Sequence, residues 1–228
     1  GVLTANPKDV KEAFVLPEIT FQDAIEMSYF GAEVIHPYTT LPAIEKNIPI
    51  RIKNTFNPSA PGTLISANGK KTNRPITGIA SIDNVALINI EGSGMIGTPG
   101  MASRVFVALA REGVNIIMIS QASSEHSICL VMREGEVAHA LRRLETDLKE
   151  DIELKRIQRF DLKKGLEIVA VIGENMRGTP GISGKLFSAL GREGINVLAI
   201  AQGSSERNIS IVIDRKDREK ALNAIHDA

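Results

Sequence analysis

The chain has 228 residues, enough for one to three domains with substantial cores. Its 27 basic and 27 acidic side chains cancel, which argues against nucleic acid as a partner because phosphate-binding proteins carry a basic excess. No apolar run approaches the ~18 residues of a membrane span, and the N-terminus lacks a signal-peptide pattern. The single cysteine, Cys129, lies in an apolar run. It is predicted to pack in a core, and a lone cysteine suits a reducing, cytoplasmic location.

Residues 1–65 are predicted to form a first, separate segment. The chain opens on a turn-rich stretch, residues 1–8, with no preceding element to support it, so we expect the chain to be part of a longer protein. Acceptor side chains at Thr20 and Asp23 favour a helix start there. Gly31 is the predicted stop of this helix.

A second helix and a strand are predicted to follow. The helix covers residues 40–46, with Pro42 in its first turn. Isoleucines alternate with proline, arginine and lysine over residues 48–53, the pattern of a half-buried strand at 48–52. Residues 66–80 include a polar, turn-forming run and predict a linker.

An internal repeat organises the remainder of the chain. The sequence Gly-Thr-Pro-Gly at residues 97–100 returns at residues 178–181, an offset of 178 − 97 = 81, and about half of the flanking positions are identical at this offset. Such a repeat fixes the architecture before other features are weighed. We therefore predict two copies of one module, at residues 81–161 and 162–228.

Each copy is predicted to alternate strands and helices in the order βαββαβ, a ferredoxin-like unit of the α+β class. The predicted strands of the first copy are residues 86–90, 114–120, 127–132 and 154–160, and its helices are residues 101–111 and the segment marked by Val137, Leu141 and Leu144. Those of the second copy are strands 166–172, 195–201 and 208–213, with helices at 182–192 and from about 216. Its final strand would fall near residues 235–241 by the same offset. We expect that strand to be absent, or supplied by residues after Ala228.

The glycine-rich loop of the first copy has the spacing of a dinucleotide fingerprint. Residues 92–97 spell G-x-G-x-x-G after a strand and before a helix. However, the second copy has Asn175 where the middle glycine belongs, and no acid closes the following strand to hold a ribose. That strand also leads to a tight turn and another strand, where a Rossmann unit needs a crossover helix. The dinucleotide interpretation is therefore rejected.

A carboxylate is a better ligand for these loops. A glycine-rich loop that leads into a helix offers free backbone N–H groups and the positive end of the helix dipole. Gln121 and Gln202 end the strands that follow, where each is either bonded to a neighbouring backbone or a bidentate handle for a ligand. Asn115 and Asn196 follow helix-ending glycines, so they either shape a turn or contact the ligand.

Catalytic and metal-binding constellations are missing from the sequence. Four histidines are scattered without metal-ligand spacing, and no Ser/His/Asp or Cys/His set is apparent. His36, before a proline, is interpreted as structural, and the two Ser-Ser-Glu sequences at 123–125 and 204–206 as hairpin turns. No catalytic or metal site is predicted.

The repeat resembles a pair of ACT modules, which are small amino-acid-sensing domains. Residues 1–8, 28–37 and 52–58 resemble segments near the end of the aspartate kinase catalytic domain, which has the α/β amino-acid-kinase fold. The Gln-x-Ser-Ser-Glu turns are similar to those of the threonine-sensitive branch, which includes kinases fused to homoserine dehydrogenase. The resemblance covers nearly the whole chain. It implies a C-terminal kinase remnant at residues 1–65 followed by two regulatory modules.

The resemblance also implies what the parent protein does. The family transfers the γ-phosphate of ATP to the β-carboxylate of aspartate with Mg²⁺. Residues of this chain that match the edge of the nucleotide site are Leu3 and Lys8. Lys8 keeps the charge of the family's arginine, whereas Glu33 reverses that of its lysine. This chain alone is expected to lack kinase activity and to need no cofactor.

The family binds its effector between two modules, with the loop and glutamine from one and the asparagine with its neighbour from the other. One implied site consists of Gly100, Ala102, Gln121, Asn196 and Val197. Its twin consists of Gly181, Ser183, Gln202, Asn115 and Ile116. A glutamine suits the hydroxyl of threonine, whereas a lysine ammonium would favour an acidic lining, so threonine is the expected effector. The modules are expected to form a homodimer. The alternatives are an assembly module without a working pocket and part of a bifunctional kinase–dehydrogenase.

Overall fold

The chain folds into two units whose boundaries do not coincide with the ends of the repeats. The computed structural model describes residues 1–31, 35, 37–69, 74–121, 123 and 125–228, with backbone alone at 37–39. The first unit joins residues Gly1–Ile82 to Ile168–Ala228, and the second is Asp83–Glu167. The predicted division at 65, 80 and 161 is therefore not the one that the contacts define.

The elements follow one another in a simple order. The strands are β1 (Glu18–Thr20), β2 (Ile50–Ile52), β3 (Thr63–Ser66), β4 (Gly78–Glu91), β5 (Ile116–Ser120), β6 (Ser127–Arg133), β7 (Arg159–Ile172), β8 (Val197–Ala201) and β9 (Asn208–Asp214). The helices are α1 (Phe21–Tyr29), α2 (Pro37–Glu45), α3 (Met101–Arg111), α4 (Val137–Asp147), α5 (Lys149–Glu153), α6 (Ile182–Arg192) and α7 (Arg218–His226). None of the described helices has the length and apolar character that crossing a membrane requires.

The first segment is built on a three-stranded sheet in the order β1-β3-β2. The predicted cap of α1 is confirmed, because Thr20 and Asp23 form a reciprocal capping box. Two bounds are corrected. Helix α2 begins at Pro37, whose fixed φ suits a helix start, so Pro42 lies inside the helix. Strand β2 is limited to Ile50–Ile52 by its pairing with β3, a strand that the sequence analysis missed along with β1.

The second unit contains the first repeat copy. Its sheet has the order β5-β6-β4-β7, and α3 and α4 complete the predicted ferredoxin-like module. The strands and helices bury one apolar cluster that includes Ile88, Ile90, Val105, Leu109, Leu130 and Leu144. On α3, Val105 and Leu109 lie on one face and are fully buried in this cluster.

The predicted strand at residues 154–160 is wrong over most of its length. A short helix, α5, ends at Glu153, and the chain then turns through Lys155, whose φ is 57°. Strand β7 begins only at Arg159, and it continues without a break to Ile172. The last strand of the first copy and the first strand of the second copy are therefore one strand.

The second copy has its fourth strand, which corrects the prediction that this strand is absent or lies after Ala228. In the first unit the order is β4-β7-β9-β8, so residues 78–82 of β4 occupy the fourth place. The backbone N–H of Thr77 donates to the carbonyl of Ile172 at 2.8 Å just before this strand. This strand lies at the start of the first copy, before the other elements of the repeat. Adding 81 to the fourth strand of the first copy therefore points to residues after Ala228 and not to this strand.

The segment before the repeat shares a core with the second copy. Ala5 and Val10 belong to the same buried cluster as Val171, Leu190 and Ile211. The N–H of Ile79 also donates to the carbonyl of Thr4 at 2.7 Å. Residues 66–80 are thus not simply a linker, because β4 starts within them, although residues 70–73 lie outside the described part.

Candidate functional site

Both Gly-Thr-Pro-Gly loops are closed by the same threonine bond. The Thr98 hydroxyl donates to the carbonyl of Gly94, and the Thr179 hydroxyl to that of Asn175, each at 2.8 Å. The preceding 3-10 turns, Ser93–Met95 and Glu174–Met176, each bury a methionine in the core. The conserved spacing of the repeat therefore produces two loops of the same shape.

Each loop ends at a helix whose first turn has no side-chain cap. Gly100 and Gly181 are the cap residues, with φ of 82° and 89°, a left-handed conformation that favours glycine. No side chain of the described residues accepts from the first-turn amides of α3 or α6 at the cap. These amides, with the helix dipole behind them, can hold a carboxylate. Ala102 and Ser183 lie half-buried in the same turns.

Two glutamates contact the loops, a role that the sequence analysis did not assign. The Glu125 carboxylate accepts from the N–H of Gly97 at 3.1 Å, and Glu206 from the N–H of Gly178 at 2.7 Å. Both glutamates have positive φ, 58° and 55°, within the turns that join the strands. The Ser-Ser-Glu turns therefore also hold the loops, with Ser124 outside the described residues. The sequence contained one signal for this role, because both copies have a glutamate at the same position of the repeat.

Gln121 and Gln202 directly follow strands β5 and β8, as predicted. Both side chains are exposed, and neither hydrogen-bonds to another side chain or backbone group in the part of the chain that the structure describes. The alternative in which each is bonded to a neighbouring backbone is therefore not observed. An exposed amide with both donor and acceptor free is suited to a ligand.

Asn115 and Asn196 lie between a helix end and a bulged strand. Each follows a glycine with positive φ and begins the segment that leads into β5 or β8. The strand register shifts between Ile116 and Met118, and again between Val197 and Ala199. A bulge turns the side chains at an edge and often accompanies a functional site. The sequence analysis did not predict a bulge in either strand.

The residues assigned to a nucleotide site remain predictions. Leu3 is half-buried and bridges to Val15, and Lys8 is exposed in a turn where its N–H donates to the Asn6 side chain at 3.0 Å. Glu33 and His36 lie outside the described residues. Across the described chain, no cluster of His, Cys, Asp or Glu side chains could hold a metal ion.

A cleft of about 560 Å³ opens in the first unit beside the base of the second loop, where Glu174 and Asn175 line it. Its lining combines acidic and basic side chains, among them Glu18, Lys185 and Asp227. None of the loop, glutamine or asparagine residues assigned to the effector lines it. We do not assign the effector to this cleft.

Cys129 is predicted to be unreactive. Burial of this thiol raises its pKa from 9.0 to about 11, opposed only by the charge of Lys163. A shift of that size lowers the thiolate fraction about 100-fold at pH 8, so alkylation by iodoacetamide should be about 100-fold slower than in the urea-unfolded chain. Mass spectrometry of the quenched reaction measures both rates. Equal rates would contradict the burial of this thiol.

Comparison with known proteins identifies the family. The ACT domain profile matches residues 88–148 and 169–228, together more than half of the chain, and the amino acid kinase family profile matches residues 1–54. The chain belongs to the ACT-domain family, with an amino acid kinase segment before the modules. Along its whole length it is similar to aspartate kinases.

Three relatives show this similarity. A bifunctional aspartokinase/homoserine dehydrogenase 2 of Arabidopsis thaliana, named chloroplastic, is 47% identical over 99% of this chain and 25% of its own length. The crystal structure of Clostridium acetobutylicum aspartate kinase superposes with a TM-score of 0.89 at 31% identity, over 100% of this chain and 52% of that one. E. coli aspartokinase III, solved in complex with lysine and aspartate, gives 0.76 at 28% identity over 100% and 49%. The chain thus spans about a quarter to a half of these relatives.

Proposed function

We propose that this chain is the regulatory region of an aspartate kinase and that its ACT modules bind threonine as a feedback inhibitor. The observation that carries the proposal is the duplicated loop that ends in a left-handed glycine and an uncapped helix. Backbone amides at Gly100 and Ala102, or at Gly181 and Ser183, would hold the effector carboxylate.

The other parts of each effector site follow from the exposed side chains. Gln121 or Gln202 would bond the effector hydroxyl. In the proposed arrangement, the loop and glutamine of one module act with Asn196 and Val197, or with Asn115 and Ile116, of the other. Each site is thus formed by residues without a formal charge, which favours a small polar amino acid as the effector.

Lysine is the competing effector. Glu125 and Glu206 bring a carboxylate to each loop, and an acidic group would stabilise the ammonium of a lysine side chain. Both glutamates, however, already accept from loop amides. We therefore favour threonine and make lysine the reference compound in the test.

Feedback in the parent enzyme would follow from linkage. The parent would phosphorylate the β-carboxylate of aspartate with ATP and Mg²⁺, and an effector that binds one arrangement of the modules more tightly would shift the enzyme towards it. Homodimerisation through the modules is part of the proposal. Ile119 and Ile200, 46% and 45% exposed on the outermost strands β5 and β8, support it.

Isothermal calorimetry of the chain with threonine, lysine, methionine and aspartate tests the proposal. We expect saturable threonine binding, weakened about two- to twelve-fold at each site when Gln121→Ala and Gln202→Ala are combined, because each site loses one hydrogen bond worth about 0.5–1.5 kcal/mol. Lys149→Ala, an exposed change on α5, is the matched control and should bind threonine normally.

Two other outcomes would contradict the proposal. Threonine binding that the double glutamine variant retains in full would remove the site assignment. A chain that dimerises and shows no thermal shift with any amino acid would instead be an assembly module. A parent that continues into a homoserine dehydrogenase, as the relative from Arabidopsis does by name, is compatible with the threonine proposal.

A further inference from the structure

Helix α1 of the kinase-like segment is hydrogen-bonded to the base of the second loop. The carboxylate of Asp23 accepts from the backbone N–H of Glu174 at 2.9 Å. Asp23 is 5% exposed, and its other oxygen accepts from the Thr20 hydroxyl at 2.8 Å within the capping box. Glu174 begins the 3-10 turn that leads into the second Gly-Thr-Pro-Gly loop. Both groups lie in the first unit.

A second contact joins the same two elements. The Asn208 side-chain amide donates to the Glu26 carboxylate of α1 at 2.7 Å. Beside it, the Arg207 guanidinium donates to both carboxylate oxygens of Glu174, at 2.5 and 3.2 Å. The pKa of Arg207 is raised, first by this hydrogen bond, with smaller contributions from the charges of Glu174, Glu26 and Asp23. One guanidinium therefore lies among three carboxylates.

The same short turn reaches the loop itself. Glu206, next to Arg207, accepts from the N–H of Gly178 at 2.7 Å. Three consecutive residues thus contact three different parts of the first unit: the loop, the 3-10 turn at its base, and helix α1. We call the set Glu174, Glu206, Arg207 and Asn208 the loop–helix link.

The first repeat copy keeps only half of this arrangement. At the offset of 81, Glu125 stands for Glu206 and makes the equivalent bond to its loop. The three other positions carry different side chains. They are Ser93 for Glu174, His126 for Arg207, and Ser127 for Asn208. The copies agree at the residue that holds the loop. They differ at Asn208, whose side chain bonds to α1, and at the Glu174–Arg207 pair beside it.

We propose that the loop–helix link transmits the occupancy of the second loop to helix α1, and that the first loop has no equivalent link. This inference rests on the proposed function, since it assigns regulation to one of the two proposed effector sites. A carboxylate bound at the N-terminus of α6 stabilises one geometry of the loop, and with it the positions of Gly178 and Glu206. The neighbouring Asn208 then holds α1 more firmly through Glu26, while Arg207 fixes the base of the loop through Glu174. Coupling of this kind must be reciprocal and is commonly at least five-fold.

The test exchanges the distinguishing residues between the copies. The first variant, Glu174→Ser with Arg207→His and Asn208→Ser, gives the second copy the side chains of the first. The matched control, Ser93→Glu with His126→Arg and Ser127→Asn, makes the reverse exchange. Glu26→Ala, a change on α1 alone, removes the acceptor of Asn208 from the other end, and the bond of Asp23 to the backbone N–H of residue 174 is kept in all three variants. Glu206, both glutamines and both loops are unchanged in all three.

Hydrogen exchange of the α1 amides, read by mass spectrometry with and without threonine, is the measurement, and calorimetry reports threonine binding on the same samples. In the unsubstituted chain, threonine should slow hydrogen exchange of the α1 amides at least about five-fold. The response should fall below about two-fold in the first variant and in Glu26→Ala, and persist in the control.

Each outcome decides a different question. Threonine binding without an α1 response, or with an equal response in the first variant, would overturn the link and leave the effector site intact. Absence of threonine binding in the unsubstituted chain would overturn the proposed function and, with it, the link. Loss of the response in the reverse exchange as well would show that the effect is not specific to the second copy.

Discussion

Gly173→Ala is expected to destabilise the first unit by about 2–4 kcal/mol. A Cβ at this position would lie 2.3 Å from the carbonyl oxygen of Pro75 and 3.0 Å from the nitrogen of Thr77. Both are backbone atoms of the segment just before β4, which cannot move aside without disturbing the start of the strand. The φ of Gly173 is 177°, which any residue adopts, so the cost comes from the clash alone.

The equivalent glycine in the first copy, Gly92, allows a second and independent test of the same kind. At Gly92 a Cβ would lie 1.9 Å from the carbonyl oxygen of Arg156, just before β7. Gly92→Ala should therefore destabilise the second unit, and Gly173→Ala the first. Urea titration followed by hydrogen exchange separates the two units, which a single spectroscopic transition would merge.

Gly184→Ala is the matched control. Nothing lies within 4 Å of a Cβ there, and the residue is inside helix α6, where alanine is favoured over glycine by about 0.5–1 kcal/mol. It should be neutral or stabilising. If Gly173→Ala proved as stable as Gly184→Ala, residues 75–77 could not be seated against Gly173, and the assignment of residues 78–82 as the fourth strand would fail.

The close approach of Gly92 to Arg156 and of Gly173 to Pro75 also shows which part of the fold the sequence did not predict. Self-similarity at an offset of 81 identified both modules, both loops and the two helices that the copies share, because each copy repeats the same local pattern. Helix α5, which the second copy lacks within the described residues, was missed. A strand that completes a module from elsewhere in the chain leaves no such pattern. Residues 78–82 and 159–167 each belong to a different unit from the remainder of their strand, and local periodicity does not mark that boundary.

The residues of the candidate site also fall into those that the sequence located and those that it did not. The two loops, the two glutamines and the two asparagines could be located from their spacing, since they lie at helix and strand ends. Glu125 and Glu206 were recognised as turn residues, but their contacts with Gly97 and Gly178 cross 28 positions in the chain. Contacts of that kind depend on how the turn packs against the loop. The bulge after Ile116 is likewise set by pairing with β6 and has no local signature.

Asp151→Ala is expected to destabilise the second unit by about 2–3 kcal/mol. The side chain is 5% exposed and accepts from Arg104 at 3.0 and 2.9 Å and from Arg156 at 3.1 Å. Its removal leaves two guanidinium groups without this partner. Both are more than a third exposed and can be partly hydrated, which keeps the cost below that of a fully buried pair.

Asp147→Ala is the control that separates burial from the number of ion pairs. Asp147 also has two arginine partners, Arg111 at 3.3 Å and Arg143 at 2.9 Å, but its side chain is 16% exposed and the arginines are 63% and 31% exposed. The Arg111 pair is exposed and contributes at most about 1 kcal/mol, so this variant should lose less stability than Asp151→Ala. Urea unfolding of the two variants measures the difference, and equal losses would contradict a special role for Asp151.

The position of Arg104 makes this comparison relevant to the effector site. Arg104 lies in the first turn of α3, where its N–H bonds to the carbonyl of Gly100 at 3.0 Å, and Asp151 fixes its side chain. The second copy has Lys185 at the equivalent position. The helix that follows the first loop is therefore tied to Asp151, whereas the second loop is tied to α1 through the loop–helix link. In Asp151→Ala, threonine binding at the first site should weaken while the threonine response of α1 persists.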